Sequence, residues 1–303
     1  MNAEPKLSVV IVSYNTCDLL RGCLASVRAT QLPTEAIVVD NASTDGSAEM
    51  VEAEFPAIHL VRNPANVGFA TATNQGIALS RGQYLVLLNP DAEVRPGALE
   101  ELAAFLDGHP GVAVAGPQLR YPDGSLQHSC FRFPTLLMSF LDFFPLNHRI
   151  YNSRLNGRYS LNGGRVPFPV DHPLGACMMV RRTAVEEVGL LDEGFFIYCE
   201  EVDWCWRMKK AGWQAFCVPS AVVVHYEAQS TRRRPAMFVE LHKSRRRLFS
   251  KHRSSAFRWA SRQLVRLGVL REMYRCWRSR CQGRILEAEY QTWMQSYRTV
   301  LGM

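Results

Sequence analysis

Short apolar runs alternate with segments of helical period through the first 120 residues of the chain. "LSVVIV" (7–12) is apolar save for one serine and only strand-long, which predicts a buried strand. "CDLLRGCLASVRAT" (17–30) reads as a helix, and "AIVVD" (36–40) as the next strand. "STDGSAEMVEAEF" (43–55) opens on capping residues and runs into a second helix. "AIHLVRN" (57–63) is a third strand, "GFATATNQGIALS" (68–80) a helix of small residues, and "YLVLLNPD" (84–91) a fourth strand. "RPGALEELAAFLDGHP" (95–110) carries proline in its first turn and is helical, and "VAVAGPQL" (112–119) is a fifth strand. This alternation predicts an α/β fold with a doubly wound, mostly parallel, Rossmann-like sheet.

Turn residues then become dense. "YPDGS", "LNGR" and "LNGGRVPFP", between 120 and 170, predict irregular loops or short antiparallel strands. "GACMMVRR" (175–182) and "SAVVVHY" (220–226) read as strands, with a helix over 200–211 between them. Helical period dominates from Pro235 to the end. The expected organisation is a sheet domain over 1–234, divided into 1–118 and 119–234, followed by a helical region over 235–303.

Composition adds a charge asymmetry. Residues 232–284 carry 17 Lys and Arg against 2 Asp and Glu, while the rest of the chain carries 18 against 26. An acidic body with a basic tail implies two jobs. "MNAEPKLSVVIVSYN" lacks the basic n-region and long apolar core of a signal peptide. The nine cysteines form no CxxC or Cys/His zinc pattern, so reduced thiols in a cytoplasm are expected. No apolar run reaches the roughly 18 residues of a membrane span; "FPTLLMSFLDFFPL" (133–146) is too short and contains Asp142.

Open α/β sheets bind ligands at the carboxyl ends of their strands, and polar residues collect there. Ser13, Tyr14 and Asn15 follow the first strand, Asp40 and Asn41 the second, and Asn89 and Asp91 the fourth. Asp91, with an amide two residues before it, suits a hard divalent cation and phosphate oxygens, or is a plain turn residue. Asp40 and Asp45 can accept from a base imide or ribose hydroxyls, or make an Asx turn and a cap. His225 ends a strand; it is a core histidine or a further ligand to a cation held by Asp91. In "FFIYCEEVDWCWRMKKAGW" (195–213), Glu201 shares a helix face with Cys205, Met208 and Gly212, an otherwise apolar set. A half-desolvated carboxylate there could serve as a general base or as a structural acid. Asp203 sits four residues before Arg207, the order of a surface ion pair.

In order along the chain, "SVVIVSYN", "VVDNASTDGS", "NPANVGFATATNQGI", "YLVLLNPDAEV", "GACMMVRR", "GLLDEGFFIYCEEVDWCWRMKKAGW" and "VVVHYEAQST" resemble the successive motifs of family-2 glycosyltransferases of the GT-A fold. Within that family they are most similar to bacterial rhamnosyltransferases of surface-polysaccharide assembly, over about residues 7–251. The resemblance implies an inverting, metal-dependent transfer of a sugar, with dTDP-rhamnose the expected donor and a glycan or lipid-linked acceptor. It makes 1–118 the nucleotide-sugar half and 119–234 the acceptor half. Asp91 matches the metal-binding Asp of the DXD-type motif, whose first acid is Asn89 here. His225 matches the later metal-site histidine, so the implied cofactor is Mg or Mn. Tyr14 and Asp40 match the nucleobase pocket, and Asp45 the neighbouring nucleoside contacts. Asn66, Gly68 and Asn74 match the donor-side "NxGxxxxxN" element. Glu201 falls where the family carries the catalytic Asp of an "ED" pair, here Glu200–Glu201. Glu200, Asp203 and Trp204 are expected on the acceptor side. A catalytically degenerate nucleotide-binding scaffold of a polysaccharide assembly complex is the competing reading.

The tail interleaves Arg with Phe, Trp and Leu. On a helix, Phe257, Leu264, Leu267 and Trp277 are expected to join an apolar stripe flanked by Arg, a membrane-surface element at the inner face of the cell membrane. The segment 133–146 is a second expected lipid contact. Packing of the tail on the sheet domain, or on a second subunit in a homodimer, is the alternative. Nucleic-acid binding ranks last, because the tail lacks a reading motif.

Overall fold

The computed structural model describes residues 4–159, 164, 166–226 and 235–303. Residues 161–163 of the turn-rich segment and 227–234, which hold "EAQST" and "RRR", lie outside the described residues. The chain runs β1 (Leu7–Ser13), α1 (Cys17–Arg28), β2 (Thr34–Asp40), α2 (Ser47–Glu54), β3 (His59–Arg62), α3 (Phe69–Leu79) and β4 (Tyr84–Leu88). It continues through β5 (Ala92–Val94), α4 (Ala98–Gly108), β6 (Val112–Arg120), β7 (Cys130–Phe131), α5 (Leu136–Phe143) and α6 (His148–Tyr151). Then come β8 (Phe168–Val170), β9 (His172–Pro173), β10 (Cys177–Arg181), α7 (Arg182–Val188), α8 (Glu200–Lys210) and β11 (Gln214–His225). Three helices close it: α9 (Pro235–His252), α10 (Ser255–Cys281) and α11 (Glu287–Leu301).

The described residues divide into two compact units. One holds those of Met1–Arg132, Leu161–Phe196 and Glu200–Glu227; the other holds those of Phe133–Ser160, Ile197–Cys199 and Ala228–Met303. The helical unit thus takes in 133–160, a stretch that apolar period alone assigns to the sheet domain.

The first unit is built on a nine-stranded sheet, ordered β3-β2-β1-β4-β10-β6-β11-β5 with β8 beside β11. β1 pairs in parallel with β2 and β4, and β2 with β3. β1 is buried along its whole length, which is why it reads as a continuous apolar run. β10 departs from the simple alternation: it lies antiparallel between β4 and β6. β6 and β11 then run parallel, with an irregularity between Val218 and Val222. Leu20, Leu24 and Val27 of α1 and Leu99, Leu102 and Leu106 of α4 pack with Leu7, Val9, Ile11, Val86 and Leu88 in its core.

The small residues of α3 have a steric cause. A Cβ on Gly76 would lie 2.4 Å from Cγ1 of Val10, so the helix backbone sits directly on β1.

In the helical unit, Phe143 of α5 packs with Val269 of α10 and with Met294, Tyr297 and Val300 of α11. Within the apolar segment 133–146, Phe143 is thus committed to an internal core, while Leu137 and Leu146 are exposed. Phe257 also turns inward, its ring 5.1 Å from that of Phe249. It stands about 160° around α10 from Trp259 at 100° per residue. The exposed apolar side of α10 is Trp259, Leu267, Leu270, Tyr274 and Trp277. Among the described residues, no helix is long and apolar enough to cross a membrane.

Substituting Gly76 by Val overfills the α3–β1 contact. We expect a loss of about 1–3 kcal/mol in urea unfolding, with little change for Val at exposed Gly111.

Candidate active site

Two strand-end loops of the sheet are stitched together. Asn15, after β1, adopts a left-handed φ of +54°. Its Oδ1 accepts from the Thr44 amide at 2.8 Å, and its own amide donates to Ser43 Oγ at 2.9 Å. The Cys17 amide donates to Asp45 Oδ2 at 2.8 Å, while Asp45 Oδ1 accepts from the Ser47 amide and hydroxyl. Burial works against the charge on Asp45, but these bonds outweigh it and hold its carboxyl below the usual range. Asp45 is thus both loop clamp and turn residue. Ser13 is fully buried, its hydroxyl 3.0 Å from that of Thr16. Tyr14 between them is 48% exposed.

Asp40 is different. Its Oδ2 accepts from the Ser43 amide at 3.0 Å, but its Oδ1 is buried with no hydrogen-bond partner. An acceptor left dry and unpaired costs about 1–3 kcal/mol, which a ligand N–H or hydroxyl would recover. Its neighbour Asn41 is saturated instead. Asn41 Oδ1 accepts from Asn63 and from the Val67 amide, and its Nδ2 donates to Asn66 Oδ1 and the Gly68 carbonyl. Asn41 is a brace for the 63–68 loop.

That loop meets a second one. Gly68 has φ +87°, and a Cβ there would lie 2.7 Å from the Phe196 carbonyl oxygen. The Phe69 amide donates to the same oxygen at 2.6 Å. Asn74, expected to face a donor, is buried and spends its amide on the Leu191 carbonyl and Glu193 Oε1, accepting in return from the Leu191 amide. Gly68 and Asn74 therefore fasten the 191–196 loop, and Asn66 Oδ1 closes the turn by accepting from the Gly68 amide.

Asp91 and His225 meet because of strand register. β5 runs antiparallel to the end of β11, which sets His225 opposite Ala92, and the Tyr226 amide donates to the Asp91 carbonyl at 2.9 Å. The two side chains face each other at 3.3 Å, Nε2 to Oδ1, both nearly buried. On the other side of the ring, Nδ1 lies 3.0 Å from Oε1 of buried Gln127. With Nδ1 held at Gln127, Nε2 is the ring atom turned toward Asp91. A carboxylate oxygen and an imidazole nitrogen held side by side are a donor set that a divalent cation can share with a ligand. Gln127 has no sequence signal; it lies in the turn-rich stretch and acts only through the fold. Among the described residues, no group of three or more His, Cys, Asp or Glu could hold a metal alone.

The acids at the start of α8 lie near the same strand end. A Cβ on Gly175 would lie 3.4 Å from Glu201 Cγ, and the next carbonyl, of Ala176, accepts from the Asn89 amide at 2.9 Å. Glu201 thus rests one residue along β10's lead-in from the strand end that carries Asn89 and Asp91. Oε2 of Glu201 and Oε2 of Glu200 are both buried without hydrogen-bond partners. Burial raises the Glu201 carboxyl above the ordinary glutamate range. Burial, and then the charge of Glu201, push that of Glu200 well above it. Tyr198 and Cys199, just before the helix, hold left-handed φ of +70° and +67°, costly for residues with a Cβ.

Asp203 and Trp204 do not face an acceptor. Both are fully buried. Asp203 pairs with Arg207 Nε at 2.9 Å in the interior, not at the surface, and Arg207 donates to the carbonyls of Val188 and Leu190. Trp204 Nε1 donates to the Gly189 carbonyl at 2.8 Å. They anchor α8 to the end of α7, because the first turns of α8 are packed on more than one side.

Residues 8–189 match the sequence pattern of Glycosyl transferase family 2. The chain belongs to that family. As a family-2 glycosyltransferase it is an enzyme that transfers a sugar. It is 33% identical over 278 residues to the N-acetylglucosaminyl-diphospho-decaprenol L-rhamnosyltransferase of Mycobacterium tuberculosis, covering 84% of this chain and 89% of that one. It is 26% identical over 222 residues to the dTDP-rhamnosyl transferase RfbF of Shigella flexneri, covering 71% and 67%. Among solved structures, the glycosyltransferase is similar in fold to the mannosyltransferase PcManGT of Pyrobaculum calidifontis, solved with GDP-Man and Mn2+, with a TM-score of 0.60, 16% identity, and coverage of 99% of this chain and 86% of that one.

Glu200 and Glu201 hold their protons to higher pH when folded than when unfolded. Their stabilising protonated state is fully present below the unfolded value of about 4.3 and is lost as pH rises through the raised folded values. The glycosyltransferase should therefore lose stability as pH rises through that window. Glu200→Gln, which removes one of the two charges, should raise Tm at about pH 8 and flatten the decline, read by calorimetry across pH.

Proposed function

We propose that this glycosyltransferase moves rhamnose from a dTDP-activated donor to a hydroxyl of a lipid-linked glycan, with inversion at the anomeric carbon and with help from a divalent cation, Mg or Mn. The observation that carries the reading is the Asp91–His225 pair, its ring held by Gln127, at the strand end beside which Glu201 rests. The names of the two rhamnosyl-transferring relatives support the sugar, and that of the mycobacterial one supports a diphospho-lipid acceptor.

The donor set fits a cation that keeps open positions: one carboxylate oxygen and one imidazole nitrogen, with phosphate oxygens and water for the rest. Asp91 and His225 would hold it, and when bound it neutralises charge on the departing diphosphate. Asp40 Oδ1, buried and unpaired, accepts from the imide N–H of thymine or from the free hydroxyl of the nucleotide's deoxyribose. Exposed Tyr14 offers its ring to the base. The clamped loops of Asn15, Asp45 and Asn41 hold both groups in place before the donor arrives, so little ordering is left for binding.

Glu201 takes the proton of the acceptor hydroxyl as it attacks opposite the leaving group. Its burial makes the carboxylate a stronger base than an exposed one. Glu200, deeper and raised further, stays protonated longest, so that one negative charge rather than two faces the acceptor. A lipid-linked acceptor places the enzyme at the inner face of the membrane, in keeping with the exposed aromatic side of α10.

With dTDP-rhamnose and a matched acceptor, Asp91→Ala should lower kcat about 10²–10³-fold and Glu201→Gln about 10²–10⁴-fold, measured as dTDP release with product identified by NMR. The acid limb of the pH–rate profile should sit above the ordinary glutamate range and vanish in Glu201→Gln. Tight nucleotide binding by calorimetry with no turnover for any donor would instead support a scaffold. Gln127→Leu should raise the Mn2+ concentration for half-maximal rate about 10–100-fold while leaving the rate at saturation close to wild type.

A further inference from the structure

The helical unit carries an open cleft of about 600 Å3 between α5, α9, α10 and the end of α11. Five arginines line it: Arg245, Arg246, Arg258, Arg262 and Arg266. None of its lining residues is Asp or Glu. Among the described residues only Arg245 of the five has a carboxylate partner, Asp142 at 2.6 Å. The Nε of Arg258 is buried and donates to nothing. His242 in the same wall adds no further charge at neutral pH, since burial and then Arg245 push it down to about 3.

Arg246, Arg262 and Arg266 are exposed at this cleft and Arg245 and Arg258 half-buried, so water and salt screen the mutual repulsion of the five guanidinium groups but do not abolish it. A ligand with several anionic oxygens relieves that repulsion, and planar guanidinium groups match phosphate with paired hydrogen bonds. Apolar Phe143, Phe249, Val265 and Val300 share the rest of the lining with three serines and Gln263. Trp259 sits at the lining and is 65% exposed. From it, Leu270, Tyr274 and Trp277 continue along the same side of α10, each about half exposed, over about 27 Å of helix. A free phosphate has no use for such surface, whereas an amphiphile uses both parts.

We propose that this arginine-lined cleft is a binding site for the phosphate-bearing headgroup of an anionic membrane lipid, whose chain lies along the Trp259–Trp277 side of α10. It differs from a diffuse attraction of basic residues to a charged surface: one lipid is bound per chain, at one place. It does not depend on which sugar the enzyme transfers.

The test is calorimetric titration of the full chain with a short-chain phosphatidylglycerol kept below its micelle concentration. One saturable site per chain is expected. Arg262→Gln with Arg266→Gln should weaken it at least about tenfold. Arg275→Gln with Arg278→Gln, an equal loss of charge on α10 outside the cleft, should leave it within about twofold. Glycerol phosphate and inorganic phosphate should each bind at least about tenfold more weakly than the lipid. Arg262→Lys, which keeps the charge and loses the fork, should lose part of the affinity with an unchanged circular dichroism spectrum. The proposal is overturned if the two double variants weaken binding equally, if inorganic phosphate binds as tightly as the lipid, or if no saturable binding occurs.

Discussion

The three-residue strand β5, laid antiparallel against the end of β11, is the constraint on which the site rests. Asp91 and His225 are 134 positions apart in the chain. Only that register brings their side chains to 3.3 Å. The same end of β11 also pairs with β6, so the histidine is held from two sides, and Gln127 holds the ring from a third. A carboxylate and an imidazole kept this close and this dry have few arrangements open to them. Their geometry is therefore set by the backbone rather than by a ligand, which is what preorganisation requires.

Much of this was legible from residue order. β1, β2 and β4 announce themselves as apolar runs because both faces of a central parallel strand are covered. The candidate residues at their carboxyl ends follow from the same topology. Other features were not legible, for physical reasons. Apolar period carries no direction, so nothing in "GACMMVRR" tells that β10 runs antiparallel between β4 and β6. β5 is too short to have a period at all. Gln127 matters only through a contact made 98 residues away, and a single amide in a turn-rich stretch has no pattern.

Helix phase misleads where a helix is packed on several sides. Asp203 and Arg207 are four apart, the spacing of a solvated pair, yet Asp203 is fully buried because α8 packs against the end of α7. Trp204 goes the same way. The aromatics among the acids of 195–213 thus divide by role: Phe196 stays partly exposed beside Gly68, while Trp204 is scaffold. In the tail the stripe exists but is rotated, with Phe257 half-buried against Phe249 and Trp259 outside. Both errors arise because periodicity gives the width of a face but not which neighbour covers it.

The contact between Gly68 and the Phe196 carbonyl limits how this scaffold can be re-engineered. With 2.7 Å between that oxygen and any added Cβ, neither loop can gain bulk, and the Phe69 amide bond lets neither drift away. Loop grafting to change specificity must therefore transplant 66–69 and 191–196 as a matched set, since a swap of one alone inherits a partner shaped for the other.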